Sequence, residues 1–172
     1  MNLRGEKVLL RAIEPEDVDR MYCWENNPKV WHVSGTLAPF SRHALEEFAR
    51  NQPLDPFVSR SCRLIIQPLE GEAVGTLDLF EIDALNRRAG LGILIHRPDD
   101  RGQGYAREAL NLAIEYARKT LGLEQLWCHI ESDNAASRHL FSGGGFRHVG
   151  TKAHWNWSPD GWKDEELWQL IF

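Results

Sequence analysis

The stretch that most constrains this chain runs from residue 89 to residue 130. An apolar run, "AGLGILIH" (89–96), breaks into "RPDDRGQGYA" and then resumes with a different period. Ala106, Leu110, Ala113, Ile114 and Ala117 fall on one face of a helix from about Gly104 to Thr120, and Gly122 ends it as a C-terminal cap. "QLWCHI" then reads as another strand, so strand, long helix and strand form a parallel crossover. That unit commits the chain to a sheet covered by helices.

The junction carries chemistry as well as topology. Glycine at 102 and 104, at the start of a helix, lets backbone N–H groups point at an anion that the positive end of the helix dipole also favours. A nucleoside-triphosphate loop would continue Gly-Lys-Ser/Thr, but Tyr105 and Ala106 follow Gly104. A dinucleotide loop would place glycine or alanine where Arg107 stands. A surface turn that merely starts a helix is the plainer alternative. Arg101 directly before the loop, and Gly90 and Gly92 in the strand behind it, favour an anion cradle.

The rest of the chain supplies the remaining elements. "KVLLRAI" (7–13) reads as a strand, and Glu14 or Pro15 opens a helix with acidic residues in its first turn. A second helix starts at the capping Ser41. "RLIIQPL", "AVGTLDLFEI" and "AGLGILIH", joined by short connections, predict an antiparallel meander. A short helix capped by Ser132 or Asp133 is stopped by Gly143 to Gly145, and "HVGTKAHWNW" and "WKDEELWQLIF" close the chain as a hairpin around "SPDG". The expected fold is a mixed α/β sheet in the order β-α-α-β-β-β-α-β-α-β-β, one domain over residues 1–172.

Composition narrows the function. A net charge of -5 over 172 residues argues against a nucleic-acid footprint. The apolar runs are far shorter than the roughly 20 residues a membrane span needs. Cys23, Cys62 and Cys128 lie far apart with no CxxC pair, and the N-terminus carries no charged-then-apolar signal, which reads as a reduced, cytoplasmic protein. His139, His148 and His154 show no metal-ligand spacing, so no metal is expected.

Arg101-Gly102-Gln103-Gly104-Tyr105-Ala106 resembles the Gln/Arg-x-x-Gly-x-Gly/Ala signature of the GNAT superfamily of N-acetyltransferases. "VLLRAIEPEDVDRMY" resembles that family's first strand and helix, "NRRAGLGILI" its fourth strand, and "DNAASRHLFSGGGFRHVG" its Asn-x-x-Ser, aromatic, Gly-Phe segment. Within that superfamily the chain resembles the ribosomal-protein N-terminal acetyltransferase branch and the spermidine and diamine acetyltransferase branch. The resemblance implies acetyl-coenzyme A (acetyl-CoA) as donor, with its pyrophosphate on Arg101 to Ala106. It also implies fourth and fifth strands that splay to admit pantetheine, strand amides near Leu94, Ile95 and His96 as oxyanion donors, and Asn134 on the pantetheine arm.

The same resemblance exposes two departures. Many relatives carry a tyrosine acid where this chain has Phe141, and several carry a glutamate base where it has Gly90. A phenyl ring donates no proton, so Ser137 is the candidate for the sulfur side and Asp78, with Glu81 on the same strand, for the base, while His96 and His129 lie beside the wedge. The family's acceptor pocket maps to tryptophan-rich segments: Trp24, Trp31 and His32 on one side, Trp155, Trp157 and Trp162 with Asp160 and Asp164 on the other. Aromatic faces beside carboxylates suit an ammonium. The acidic pair of polyamine enzymes is replaced by "VSGT" (33–36). The acceptor is thus expected to be a primary amine of a small molecule, peptide or protein N-terminus, and the assembly considered is a homodimer. An acyl-CoA-binding domain with little catalysis is the alternative.

Overall fold

The computed structural model describes residues 3–28, 30–31 and 35–172. Its elements are β1 (Val8–Arg11), a 3-10 turn (Pro15–Asp17), α1 (Val18–Glu25), α2 (Arg42–Arg50), α3 (Pro56–Ser59), β2 (Ser61–Pro68), β3 (Gly75–Asp83) and β4 (Arg88–Ile95). After a second 3-10 turn (Pro98–Asp100) come α4 (Tyr105–Lys119), β5 (Gln125–Glu131), α5 (Ala135–Gly143), β6 (Arg147–Ser158) and β7 (Gly161–Ile171). The expected order holds, with α3 and the two 3-10 turns added.

Seven strands form one sheet in the order β1-β2-β3-β4-β5-β7-β6. β1 to β4 are an antiparallel meander, β4 and β5 are parallel, and β7 lies between β5 and β6. The parallel ladder is short. Only Arg88 to Gly90 pair with Gln125 to Trp127, although β4 runs on to Ile95 and β5 to Glu131. Beyond residue 90 the strands part, which is the splay that the family resemblance implies.

Each face of the sheet is sealed by helices. Ala109, Leu110, Ala113 and Ala117 of α4 pack on Leu77, Leu79, Leu91 and Leu126. Met21 and Trp24 of α1 and Leu45 of α2 pack on Ile65 and Ala73. Each fully buried leucine contributes roughly 1.5–3 kcal/mol through removal of its apolar surface from water. Asp17, only 2 % exposed, is held by Arg11 through contacts of 2.6 and 2.8 Å. Burial opposes its charge, yet the guanidinium and the Glu14 N–H lower its pKa below the usual carboxylate value.

Two local readings change. The cap of α5 is Asn134, whose side chain accepts from the Ser137 N–H at 3.1 Å, rather than Ser132 or Asp133. A helix starts where its free N–H groups find an acceptor, and only Asn134 stands three residues before Ser137. The terminal hairpin is also irregular: its register shifts between Lys152 and Asn156, and His154 adopts φ 51°.

Candidate functional site

The glycine loop is built as an anion cradle. Gly102 and Gly104 have φ of 75° and 86°, a region that side chains strongly disfavour, and Gly104 is the N-cap of the 15-residue α4. Lys7 Nζ donates to the Gln103 carbonyl at 3.1 Å and lies against Gly104. Arg101 turns back, and its Nε donates to the Ile95 carbonyl at 3.2 Å, tying the loop to the end of β4. On the inner side of the first turn, Glu108 accepts from the N–H groups of Glu6, Lys7 and Val8 at 2.9, 2.7 and 2.6 Å. Burial acts against that carboxylate, but the three donors lower its pKa. The segment carrying Lys7 is thereby fixed beside the loop.

A groove of about 700 Å³ runs from Arg101, Gly102, Gly104, Tyr105 and Ala106 along Ile93 to Ile95 to Asn134, Ser137 and His139. Its strand wall is an open edge whose polarity follows from register. The His96 N–H donates to the Val74 carbonyl at 3.1 Å, and antiparallel bonds recur at alternate residues, so Leu94 also turns to β3. Ile93 and Ile95 therefore face the gap. Of the three amides expected as oxyanion donors, Leu94 and His96 are committed to the ladder, and Ile95 is presented to the wedge.

The groove continues into an inner cavity of about 310 Å³ between β4 and β5. Val30, Ile93, Leu94, Asn134 and Ser137 line both spaces. The inner cavity is strongly charged. Arg63 grips both oxygens of Asp78 at 2.6 and 3.0 Å and reaches Glu25 at 2.5 Å. Burial works against the guanidinium, but the two carboxylates raise its pKa. Across the cavity, Glu165 is paired with Lys152 and accepts from Asn156 at 3.0 Å, while Glu131 meets Lys163 at 3.4 Å. His129 and His96 complete the titratable lining.

His96 is 7 % exposed, and neither ring nitrogen has a hydrogen-bond partner among the described residues. Burial, reinforced by Arg63 and Arg101, pushes its pKa down to about 4. Phe141 is buried edge-on against Phe146, a packing role that matches the loss of the tyrosine acid. Gly90 lies under the Phe80 ring, which fills the space a side chain at 90 would need.

An outer groove of about 750 Å³ shares Glu25, Arg63, Asp78 and Phe80 with the inner cavity and extends over Phe40, Phe48 and Gln52. The expected tryptophans are elsewhere. Trp31 donates from Nε1 to the Glu25 carbonyl at 2.8 Å, Trp155 is 56 % exposed beneath Lys152, and Trp157 is 68 % exposed. None of the three lines these cavities, and His32 lies outside the described residues. The register shift in β6 is a turn of tertiary geometry that alternation alone does not reveal. Arg63, Glu25, Phe80 and Glu165 carried no motif; Arg63 and Asp78 meet because they are register partners on β2 and β3.

Among the described residues no cluster of His, Cys, Asp and Glu could hold a metal ion, and no helix is long and apolar enough to cross a membrane. Residues 7–147 match the family model described as an acetyltransferase (GNAT) domain. Spermidine N(1)-acetyltransferase of Vibrio cholerae is 26 % identical over 142 residues, which cover 83 % of this chain and 80 % of that protein. Alpha/beta-tubulin-N-acetyltransferase 9 of Drosophila melanogaster is 40 % identical over 155 residues, covering 80 % and 74 %. The crystal structure of the Vibrio cholerae spermidine enzyme with CoA and spermine superposes with a TM-score of 0.86 at 23 % identity, over 97 % of this chain and 96 % of that one.

Proposed function

Because the chain belongs to the GNAT acetyltransferase domain family and is an acetyl-CoA-dependent N-acetyltransferase, we propose that its acceptor is a primary amine entering the carboxylate-lined cavity under β4 and β5. Bound acetyl-CoA supplies an activated acetyl group as a thioester. The amides of Arg101 to Ala106 hold the pyrophosphate at the positive end of α4, with Lys7, Arg101 and Arg107 as the nearby cations. The free edge at Ile93 and Ile95 takes the pantetheine arm as a sheet edge takes an added strand. The Ile95 N–H, fixed in place before reaction, is the oxyanion donor.

Asn134 caps α5 and borders the arm, and Ser137 offers its hydroxyl on the sulfur side. Asp78, with Glu25, sets a negative field at the mouth of the cavity that draws an ammonium inward; the Arg63 fork holds both carboxylates in place. The outer groove favours acceptors longer than a simple amine, since Phe40 and Phe48 offer apolar contact beyond the charged mouth. A peptide N-terminus fits that space, and a flexible polyamine fits the acidic lining.

One observation carries this reading: the anion loop, the open strand edge and the acidic mouth are continuous through shared lining residues. The test is release of free thiol from acetyl-CoA by the purified chain against a panel of polyamines, diamines and peptides. Amine-dependent release is the expected result. Coenzyme A binding with no release above background for any amine would leave the acyl-CoA-binding alternative standing.

A further inference from the structure

We propose that His129, oriented by Glu165, is the general base that takes the proton from the acceptor ammonium. This inference rests on the acetyltransferase reading and assigns a role that the departures at Gly90 and Phe141 leave open. Every other titratable group described along the inner cavity is either ion-paired or, for His96, covered by a stacked ring. Arg63 occupies Asp78 and Glu25; Lys163 meets Glu131, and Lys152 and Asn156 hold Glu165. His96 is sealed under Trp24 with its centroid 4.2 Å away, and it stays neutral down to about pH 4, too weak a base for an ammonium.

His129 differs in each respect. It lines the inner cavity while its side chain keeps 39 % exposure, so a proton it accepts can pass to water. Its Nδ1 lies 3.4 Å from Glu165 Oε1, the oxygen that Lys152 also meets; the contact is electrostatic rather than a formed hydrogen bond, and a carboxylate on that side favours the tautomer with the proton on Nδ1 and the lone pair on Nε2. Catalytic contacts that are long in an unliganded site tighten in the complex with substrate. The Trp127 ring packs beside it at 4.9 Å, and Trp127 is held in turn by Phe80 at 5.2 Å. The charged groups facing the ring are Glu165 from β7, Lys152 from β6 and Glu81 from β3. Burial first, and then Lys152, outweigh the two carboxylates and lower the pKa below 6.5, so the ring is neutral and able to accept at pH 7.

The proton count closes. The ammonium gives one proton to Nε2, which releases it to solvent. The amine nitrogen forms the C–N bond as the C–S bond breaks, and the second proton lost by nitrogen balances the one gained by sulfur. Glu165 does not touch the acceptor in this scheme; it is a positioning residue.

The experiment combines rates with a reading of the free protein. In the unliganded chain, imidazole 15N shifts should show His129 protonated on Nδ1 at pH 8, and the Glu165→Gln variant should lose that bias. His129→Gln should lower kcat/KM for the best amine by about 100-fold or more. Its coenzyme A affinity should stay within twofold, and the acidic limb below pH 6.5 should vanish. His129→Ala should regain activity with added imidazole. A His129→Gln variant within threefold of the parent, or one that keeps the limb, overturns the inference while leaving the acetyltransferase reading intact. A parent chain that releases no thiol with any amine removes both.

Discussion

The imidazole of His96 lies flat on the indole of Trp24, with ring centroids 4.2 Å apart and planes 3° from parallel. The stack covers one face of the His96 ring, which lines the inner cavity, and explains how a ring with two unpartnered nitrogens is kept just past the end of β4. Its cost is acid sensitivity. In the unfolded chain the ring takes a proton near pH 6.5, and in the fold only near pH 4, so the unfolded state binds more protons between these values. Stability is fully present above pH 6.5 and is lost as the pH falls toward 4, by about 3 kcal/mol at most. His96→Phe keeps a ring on Trp24 and removes the titration. Its melting temperature should equal or exceed the parent's at pH 7 and fall less between pH 6.5 and 4, as followed by circular dichroism.

Gly104 and Gly102 should respond differently to a side chain. Both have positive φ, and a left-handed L residue costs roughly 1–2 kcal/mol. At Gly102 a Cβ meets nothing within 4 Å, whereas at Gly104 it presses on Lys7 Nζ at 3.1 Å. Gly102→Ala should weaken coenzyme A binding by about tenfold, matching that strain. Gly104→Val should weaken it further and displace Lys7, as measured by calorimetric titration.

Glu108 ties three backbone N–H groups to α4. Glu108→Ala leaves them unpaired in a partly exposed setting and should cost about 1–3 kcal/mol in urea unfolding. Since its folded pKa is lowered from 4.5, the stabilisation is present above pH 4.5 and is lost as the pH falls through the folded value. The variant should therefore lose less stability than the parent on going below pH 4.5.

Asp78→Asn tests the charged mouth. It removes one negative charge from the mouth while keeping the shape that faces Arg63. The KM for a cationic amine should rise about tenfold, equivalent to about 1.4 kcal/mol, with the KM for acetyl-CoA unchanged. A turnover rate lowered by about 100-fold or more would instead make Asp78 a participant in proton transfer.

Gly90 and Phe80 are a volume-matched pair. Gly90→Ala places a methyl group inside the Phe80 ring and should cost about 1–3 kcal/mol by overpacking. Phe80→Ala in the same chain should recover part of that loss, which a double-mutant cycle in urea would read.

Much of this was legible because it is local. A glycine that must adopt positive φ, a serine that caps its own helix at Ser41, and an apolar stripe on α4 are dictated within a few residues, and they carry the cofactor loop and element order. The acceptor side was not legible for the opposite reason. Glu25, Arg63, Asp78, His129 and Glu165 come from α1, β2, β3, β5 and β7, and no spacing links them.

The sequence by itself determined the parallel crossover, the anion cradle and the absence of a tyrosine at 141, since each is written in neighbouring letters. Only the tertiary structure decided which amides of β4 face the wedge, which carboxylates are neutralised by which cations, and that Trp155 and Trp157 stand apart from the cavities. Register shifts by one residue reverse every side chain and amide on a strand, and pairing between distant strands is set by how their buried faces pack together.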